Sequence, residues 1–234
     1  MSATLSIVVP AHNEEALLGR TLEAVATAAR TTAVLFEIVV VDDSSTDRTA
    51  EIARSCGARV VATAVRQIAG ARNAGARAAT GEMLLFVDAD TIVSPRIVQA
   101  AIDALKAGAV GGGASAHFEP EAPRWAHGAI AWAAWTMRLA KWAAGCFFFV
   151  RRDAFERVGG FDERYFASEE IHLSRALKRH GRFVILRDSV LTSARKAEHY
   201  SMWHSAWLML RMLWPGSLRR RDGLDFWYTR QNKS

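Results

Sequence analysis

The sequence has 234 residues, of which 50% are hydrophobic and 23% charged, a balance that indicates a globular protein and excludes a disordered or fibrous one. The length suits one substantial domain, or one domain with an appendage. Two cysteines, Cys56 and Cys146, exclude a disulfide framework and favour a reducing compartment. We find neither a signal peptide pattern nor a run of about 20 apolar residues that could span a membrane, and expect a cytoplasmic protein.

Short apolar runs alternate with helical patterns along the first half of the chain. The runs "LSIVVP", "EIVVVDD", "ARVVAT" and "EMLLFVDAD" predict four strands, and a Gly-rich strand "AVGGGASAHF" follows them. Between them lie helical patterns with apolar residues three or four apart, including one that starts at Pro95. This alternation predicts an α/β fold with a mostly parallel sheet flanked by helices.

Polar residues follow the predicted strands at the points where the strands end. They are His12, Asn13 and Glu14 after the first strand, Asp42, Asp43, Ser44 and Asp47 after the second, and Asp88 and Asp90 after the fourth. Parallel α/β sheets bind ligands beyond the carboxyl ends of their strands, so we expect these side chains to face one crevice. The alternative is that they cap the following helices, an alternative that is strongest for Asp47.

The pair Asp88 and Asp90 suggests a cation site. Carboxylates beside a phosphate group suit Mg²⁺ or Mn²⁺, which take oxygen ligands and leave positions open for substrate phosphates. Such an ion neutralises the charge that develops on a departing diphosphate. The sequence therefore favours a divalent cation as cofactor.

Four motifs in a fixed order resemble those of family 2 glycosyltransferases, which have the Rossmann-like GT-A fold. They are "SIVVPAHNEE", "VVVDDSSTDRTAEIA", "ARNAGARAATGEMLLFVDADT" and "RRDAFERVGGFDE", and the resemblance covers about residues 5–190. It implies a nucleoside diphosphate sugar as donor, with uracil or guanine as the base, a divalent cation, and in most members inversion of the anomeric centre.

The resemblance also implies roles for individual residues. Pro10, Ala11 and Glu14 fall where the family's first loop meets the nucleotide, and Asp43, beside Asp42, falls where the base is read. Arg72 matches a residue that reaches the base or the diphosphate. Asp88 matches a ribose and metal contact, Ala89 lies in the same nucleotide-binding turn, and Asp90 is the expected metal ligand.

A transfer that inverts the anomeric centre also needs a base for the acceptor hydroxyl proton. The family carries this base as the aspartate of an "ED" pair, and the corresponding pair here is Glu169–Glu170. Glu170 then occupies the base position with one extra methylene, which leaves the choice between the two glutamates open. The alternative is that both are acids favoured by a helix N-terminus. We interpret Asp162 and Glu163 as structural residues of a turn.

The second half of the chain is rich in tryptophan and basic at its end. All eight tryptophans follow position 124, and residues 200–234 carry six basic and two acidic side chains. Helical spacing places Trp125, Trp132, Trp135 and Trp142 on one face, where packing within the protein or against another subunit is as plausible as contact with a membrane surface. Tryptophans followed by arginines in 200–221 favour contact with a membrane surface.

We therefore divide the chain into a GT-A domain over 1–195 and a basic helical C-terminal extension over 196–234. The domain comprises a nucleotide-binding half, 1–118, and an acceptor-side half, 119–195. The extension suggests a peripheral location on the inner face of the membrane and a lipid-linked or envelope saccharide acceptor. We expect no nucleic-acid partner. Two other functions stay open: a membrane-associated binding protein without catalysis, and a sugar nucleotidyltransferase.

Overall fold

The computed structural model describes residues 4–118, 128, 135, 142, 143, 145–166 and 168–193. The predicted extension over 196–234, including the stretch 200–221, lies outside the described residues, as does most of the Trp-rich segment. Within the described residues, none of the helices combines the length and the apolar character that crossing a membrane requires.

Strands and helices alternate along the described chain. The strands are β1 (Thr4–Ala11), β2 (Leu35–Asp43), β3 (Arg59–Thr63), β4 (Met83–Val87), β5 (Thr91–Ile92), β6 (Gly111–Phe118), β7 (Phe147–Arg151) and β8 (Phe183–Thr192). The helices are α1 (Leu18–Arg30), α2 (Thr49–Ser55), α3 (Ile68–Ala78), α4 (Pro95–Lys106), α5 (Arg152–Arg157) and α6 (Glu169–Lys178).

The described strands form one sheet in the order β3-β2-β1-β4-β7-β6-β8-β5. Strands β3, β2, β1 and β4 are parallel to one another, and β7 runs antiparallel to both of its neighbours. Strands β6 and β8 are parallel, and the short β5 pairs with β8 in the antiparallel sense. The predicted α/β fold with a mostly parallel sheet is confirmed.

Successive residues of the central strands face two separate apolar cores. Ile7 and Leu85 belong to one core, which also contains apolar side chains of α1 and α4. Val8 and Phe86 belong to the other, which also contains side chains of α3, α5 and α6. Because neighbouring residues of a strand point to opposite faces, a strand covered on both sides must be apolar throughout. This requirement explains the uninterrupted apolar runs in the sequence.

Helix α3 lies unusually close to the sheet. An added Cβ at Gly75 would come within 2.3 Å of Val8 Cγ1 and 2.8 Å of Val41 Cγ2, so only glycine allows this approach. The close packing holds α3, which carries Arg72 three residues before Gly75, against the strands.

Two details of the chain differ from the predicted elements. The fourth strand ends at Val87, and Asp88–Asp90 form a turn in which the Thr91 amide donates to the Asp88 carbonyl at 3.0 Å. Strand β7, which no sequence pattern above predicted, lies between β4 and β6. It brings residues 145 and 146, at its amino end, beside the carboxyl end of β4, where the Asp88 amide donates to the Cys146 carbonyl at 3.3 Å.

A polar cluster joins the strands at the opposite edge, where β1 and β2 begin. The Oε1 atom of Glu37 accepts hydrogen bonds from Ser6 Oγ at 2.7 Å and from the Thr80 amide and hydroxyl at 2.6 and 2.7 Å. Arg59 Nη2 lies 3.0 Å from Oε2. Burial alone would raise the pKa of Glu37, but the bonds from Thr80 and Ser6 outweigh it and lower the pKa to about 2. We call these residues the amino-edge cluster.

Candidate active site

The loops that follow β1 and β2 are tied together by polar contacts. The Asn13 amide donates to Ser45 Oγ at 2.9 Å, Asn13 Oδ1 accepts from the Thr46 amide at 2.7 Å, and the Glu14 amide donates to Thr49 Oγ1 at 2.8 Å. His12 is exposed, and its Nδ1 lies 2.7 Å from the Asp43 carbonyl oxygen. These contacts shape one side of the crevice that the sequence predicts.

The two aspartates at the end of β2 have different surroundings. Asp43 is buried, and its carboxylate accepts the backbone amides of Arg66 at 2.9 Å and Gln67 at 3.1 Å. Asp42 is half-buried and accepts the Ser45 amide at 3.2 Å. Both therefore shape the loops around them, and a contact from either one to a nucleotide base stays a prediction.

Asp47 supports the start of α2, as the capping interpretation proposed. Its Oδ1 accepts from the Thr49 amide at 3.0 Å and from the Thr49 hydroxyl at 2.5 Å. Its Oδ2 accepts from the Glu15 amide at 3.2 Å. Asp47 therefore joins the loop after β1 to α2.

The other nucleotide-binding candidates lie in the same region with different exposure. Pro10 and Glu14 are half-buried, whereas Ala11 is buried at the last position of β1. Ala89 is buried in the Asp88–Asp90 turn, and its carbonyl accepts the Thr21 hydroxyl at 2.8 Å. This bond holds the turn against α1. Contact between these residues and a nucleotide stays a prediction.

Arg72 is the centre of a buried ionic cluster at this edge of the sheet. Only 2% of the residue is exposed. Its Nη1 donates to Glu169 Oε1 at 2.6 Å, and its Nη2 donates to Asp88 Oδ1 and to the Gly145 carbonyl, each at 2.8 Å. Burial alone would lower the pKa of Arg72, but the charges of Asp88, Glu169 and Glu170 outweigh it and raise the pKa. The guanidinium therefore stays charged and joins three separate segments.

Glu169 and Glu170 are the first two residues of α6, and both are buried, with 3% and 9% of their surface exposed. Burial raises the pKa of both, and the neighbouring Glu169 charge also raises the pKa of Glu170, to about 8. Acids that serve only the helix dipole work at the surface, so this burial favours a role in the site.

The residue before this pair has a strained backbone. Ser168 adopts φ 62° and ψ 21°, a left-handed conformation that residues other than glycine seldom adopt. Asn13, Ser44 and Arg66 are the other described non-glycine residues with positive φ, and they lie just beyond the carboxyl ends of β1, β2 and β3. Strain of this kind concentrates at functional sites.

Asp88 and Asp90 fit a cation site that a substrate completes. Within the described part of the chain, no group of three or more His, Cys, Asp or Glu side chains could hold a metal. Mg²⁺, however, is usually held by one or two carboxylates together with substrate phosphates and water. Burial and the charges of Asp88, Asp90 and Glu170 raise the pKa of the Cys146 thiol, so all three acids act on this one group. Their oxygens are the donors that Mg²⁺ and Mn²⁺ prefer.

The end of the Trp-rich segment contacts α6. The Arg175 guanidinium lies 4.6 Å from the centre of the Trp142 ring, and the Ala143 amide donates to Ser174 Oγ at 3.3 Å. Trp135 is exposed. The predicted shared face of the four tryptophans includes Trp125 and Trp132, which lie outside the described residues.

The structure thus brings together Asp88, Arg72, Glu169 and Glu170, with Asp90 in the adjoining turn. Asp162 pairs with Arg164 at 2.7 Å and Glu163 Oε1 accepts from Asn73 Nδ2 at 2.9 Å, so both hold the turn after α5, as the sequence indicated. A surface hollow of about 650 Å³ between α3 and this turn contains none of the predicted catalytic or metal residues.

Sequence reasoning missed Gly145, Cys146 and Ser168. The signal for the first two was a Gly-Cys pair directly before the buried run "FFFV". Nothing in the sequence indicated the left-handed conformation of Ser168.

Comparisons with known proteins agree with this architecture. Validoxylamine A glucosyltransferase from Streptomyces hygroscopicus subsp. jinggangensis is 43% identical over 108 residues, which are 43% of this chain and 25% of that protein. An undecaprenyl-phosphate 4-deoxy-4-formamido-L-arabinose transferase from Edwardsiella ictaluri is 35% identical over 108 residues, 42% of this chain and 33% of that protein. The chain thus spans between a quarter and a third of the length of these curated relatives.

Among solved structures, the mannosyltransferase PcManGT from Pyrobaculum calidifontis, in complex with GDP-Man and Mn²⁺, superposes with a TM-score of 0.68 and 21% identity, over 90% of this chain and 61% of that one. This likeness confirms the GT-A fold. The family model for glycosyl transferase family 2 matches residues 6–159, about two thirds of the chain. The chain belongs to glycosyl transferase family 2.

Proposed function

We propose that this protein transfers a sugar from a nucleoside diphosphate sugar to an acceptor hydroxyl, with inversion at the anomeric carbon. The observation that carries the proposal is the convergence of two functional groups. The Asp88–Asp90 turn and the buried Glu169–Glu170 pair come from distant parts of the chain, and Arg72 bridges them with bonds of 2.8 and 2.6 Å. Such a transfer needs carboxylates that bind the metal ion beside the diphosphate, and it needs a base that takes the proton of the acceptor hydroxyl.

Asp90 and Asp88 would hold a Mg²⁺ or Mn²⁺ ion, and the bound ion would offset charge on the departing diphosphate. Two relatives support the assignment of donor and metal, because PcManGT was solved with GDP-Man and Mn²⁺ and validoxylamine A glucosyltransferase is named for a glucosyl transfer. We propose a UDP- or GDP-sugar for this chain. The loop residues Pro10, Ala11, Glu14, Asp42, Asp43 and Ala89 would surround the nucleotide.

Glu170 is proposed as the base. The acceptor oxygen bonds to the anomeric carbon as the bond from that carbon to the diphosphate oxygen breaks, and Glu170 takes the hydroxyl proton. A base is most effective when its pKa lies near the operating pH, and burial brings the pKa of Glu170 to about 8. Glu169 is less suited, because its carboxylate is held by the Arg72 guanidinium.

For the acceptor we propose a hydroxyl group of a lipid-linked or envelope saccharide. The Edwardsiella relative is named as a transferase acting on undecaprenyl phosphate. Contact with a membrane surface through 200–221, and an oligomer contact through the Trp-rich helices, stay predictions.

The test measures nucleotide binding and donor turnover separately. Titration calorimetry should show UDP or GDP binding in the presence of Mn²⁺ and lose it when EDTA replaces the ion. With water as acceptor, UDP-glucose or GDP-mannose should slowly release UDP or GDP. Binding without any release, in the wild type and in Glu170→Gln alike, would favour a binding protein without catalysis. Release of pyrophosphate would identify a nucleotidyltransferase.

A further inference from the structure

The bonds of Arg72 connect the two halves of the proposed site. Its guanidinium reaches the carboxyl end of β4 through Asp88, the start of β7 through the Gly145 carbonyl, and the start of α6 through Glu169. Arg72 is separated from the last of these partners, Glu169, by 97 residues in sequence. A planar guanidinium presents its donors in a rigid fork, so it fixes the relative orientation of the groups it binds. Arg72 is therefore placed to fix the position of the Asp88–Asp90 turn relative to α6.

This arrangement is costly for the folded protein. Removing charged groups from water carries a penalty of several kcal/mol per ion, which excellent pairing only partly repays. The Arg72 Nε has no hydrogen-bond partner among the described residues. Three carboxyl groups, moreover, surround this one guanidinium. A core built for stability alone would not need this cluster, which points to a functional reason for it.

Glycine at position 145 allows the cluster to close. An added Cβ there would lie 3.1 Å from Arg72 Nη2 and 3.5 Å from the carboxyl carbon of Glu170. Gly145 thus lies beside the arginine, which donates to its carbonyl, and beside the carboxyl group of the proposed base. Hydrogen bonds therefore join Asp88, Arg72 and Glu169, and the carboxyl group of Glu170 lies next to these residues at Gly145.

We propose that Arg72 is a positioning residue, which holds Glu169 in place so that Glu170 faces the acceptor and ties both to the turn that carries Asp88 and Asp90. This proposal rests on the proposed function, and it replaces the direct nucleotide contact that the family resemblance implies for Arg72. With only 2% of the residue exposed, the guanidinium is directed at protein groups. Glu169 is then the intermediary between the arginine and the base.

Two conservative variants test the proposal. Arg72→Lys keeps the positive charge but loses the fork, and Glu169→Gln keeps the shape but loses the ion pair. The probes are UDP and GDP with Mn²⁺ for affinity, and hydrolysis of UDP-glucose or GDP-mannose for turnover. We expect each variant to lower kcat at least 30-fold while the Kd of the nucleotide and the KM of the donor change less than threefold. The double variant should cost no more than the worse single one, because both act through one chain of contacts.

The matched control is Arg152→Gln. Arg152 is a largely buried arginine that donates to the carbonyls of Gly81 at 2.6 Å and Ala76 at 3.0 Å, away from the acidic cluster. Its substitution should leave kcat within twofold of the wild type. Thermal unfolding of every variant shows whether the assays sample folded protein.

The outcomes separate the two proposals. If the Kd for nucleotide rises tenfold or more in Arg72→Lys while kcat is unchanged, Arg72 contacts the nucleotide, and the positioning role is overturned. Wild-type turnover in Glu169→Gln would overturn it also, even if Arg72→Lys fails to fold. If the wild-type protein itself neither binds nucleotide nor hydrolyses a donor, the proposed function fails.

Discussion

The two edges of the sheet both hold carboxylates beside an arginine, yet they do so with opposite effects. In the amino-edge cluster, Glu37 receives several neutral hydrogen bonds in addition to Arg59, and its pKa falls to about 2. At the carboxyl edge, three carboxyl groups share Arg72, and burial brings the pKa of Glu170 to about 8.

The difference teaches how one fold separates stability from reactivity. A carboxylate with enough donors stabilises the strands it joins, because its charged form is satisfied. A carboxylate with too few donors destabilises the fold but retains a proton near neutral pH, which suits acid–base work. Strained backbone follows the same division, since the described non-glycine residues with positive φ lie at or near the carboxyl edge.

The largest expected effect is on turnover at the carboxyl edge. Glu170→Gln removes the proposed base without changing the shape of the side chain, so we expect kcat for donor hydrolysis to fall by about 10²–10⁴-fold. The Kd for UDP or GDP should stay within threefold. Glu37→Gln, at the opposite edge, serves as control and should retain the wild-type kcat. Equal losses of kcat in Glu170→Gln and Glu37→Gln would show that the two edges of the sheet do not differ in their role in turnover.

The next effect concerns the metal. Asp90→Asn replaces a charged oxygen donor by a neutral one, and we expect the affinity for Mn²⁺ in the presence of UDP or GDP to fall about 10–100-fold, a loss typical of weakened metal coordination. Titration calorimetry with Mn²⁺ measures it. Asp103→Asn, which alters an exposed residue of α4 that accepts from Gln99, should behave as the wild type. Unchanged Mn²⁺ affinity in Asp90→Asn would exclude Asp90 as a ligand.

Stability should rise when Glu170 is neutralised. Its folded-state pKa lies above the ordinary glutamate value of 4.5, so its contribution to stability is fully present below pH 4.5 and is lost as the pH rises through about 8. Glu170→Gln should therefore gain roughly 1–2 kcal/mol at pH 9, a rise in Tm of about 2–8 °C, with a smaller gain at pH 5. Calorimetric unfolding at both pH values tests this. A variant less stable than wild type at pH 9 would contradict it.

The smallest effect is expected at the amino edge and has the opposite sign. The folded-state pKa of Glu37 is lowered, so its contribution is present above pH 4.5 and is lost as the pH falls toward about 2. Glu37→Gln should lose about 1 kcal/mol at pH 7, the typical value of a hydrogen bond to a partly exposed group. Urea unfolding at pH 7 and pH 3 measures the difference, which should shrink at the lower pH. A loss that is equal at both pH values would show that charge is not involved.

The sequence predicted the fold well where local pattern decides structure. The apolar runs around Val8, Val40 and Leu85 are continuous because both faces of the sheet are covered, and a run of this kind is visible without coordinates. The positions of Asp88, Asp90 and the Glu169–Glu170 pair followed from the ordered motifs. The rule that ligands bind at the carboxyl edge predicted one crevice for Asp88 and Asp90. It did not predict that the Glu169–Glu170 pair joins them.

The partners of Arg72 could not be predicted in this way. They depend on β7, whose antiparallel direction brings Gly145 to the carboxyl end of β4, and on the approach of α3 that Gly75 allows. Both are features of tertiary packing between segments far apart in sequence. The backbone amides that donate to the Asp43 carboxylate likewise come from the loop after β3, and no local sequence pattern predicted them.

The direction of β7 has a wider consequence for how this enzyme family member can diversify. Strand β6 ends at Phe118 and β7 begins at Phe147, and these two strands are antiparallel neighbours. The segment between them therefore departs from and returns to the same rim of the sheet, next to Arg72 and α6. Because both strand ends lie at that rim, the pairing of β6 with β7 does not fix the number of residues that join them.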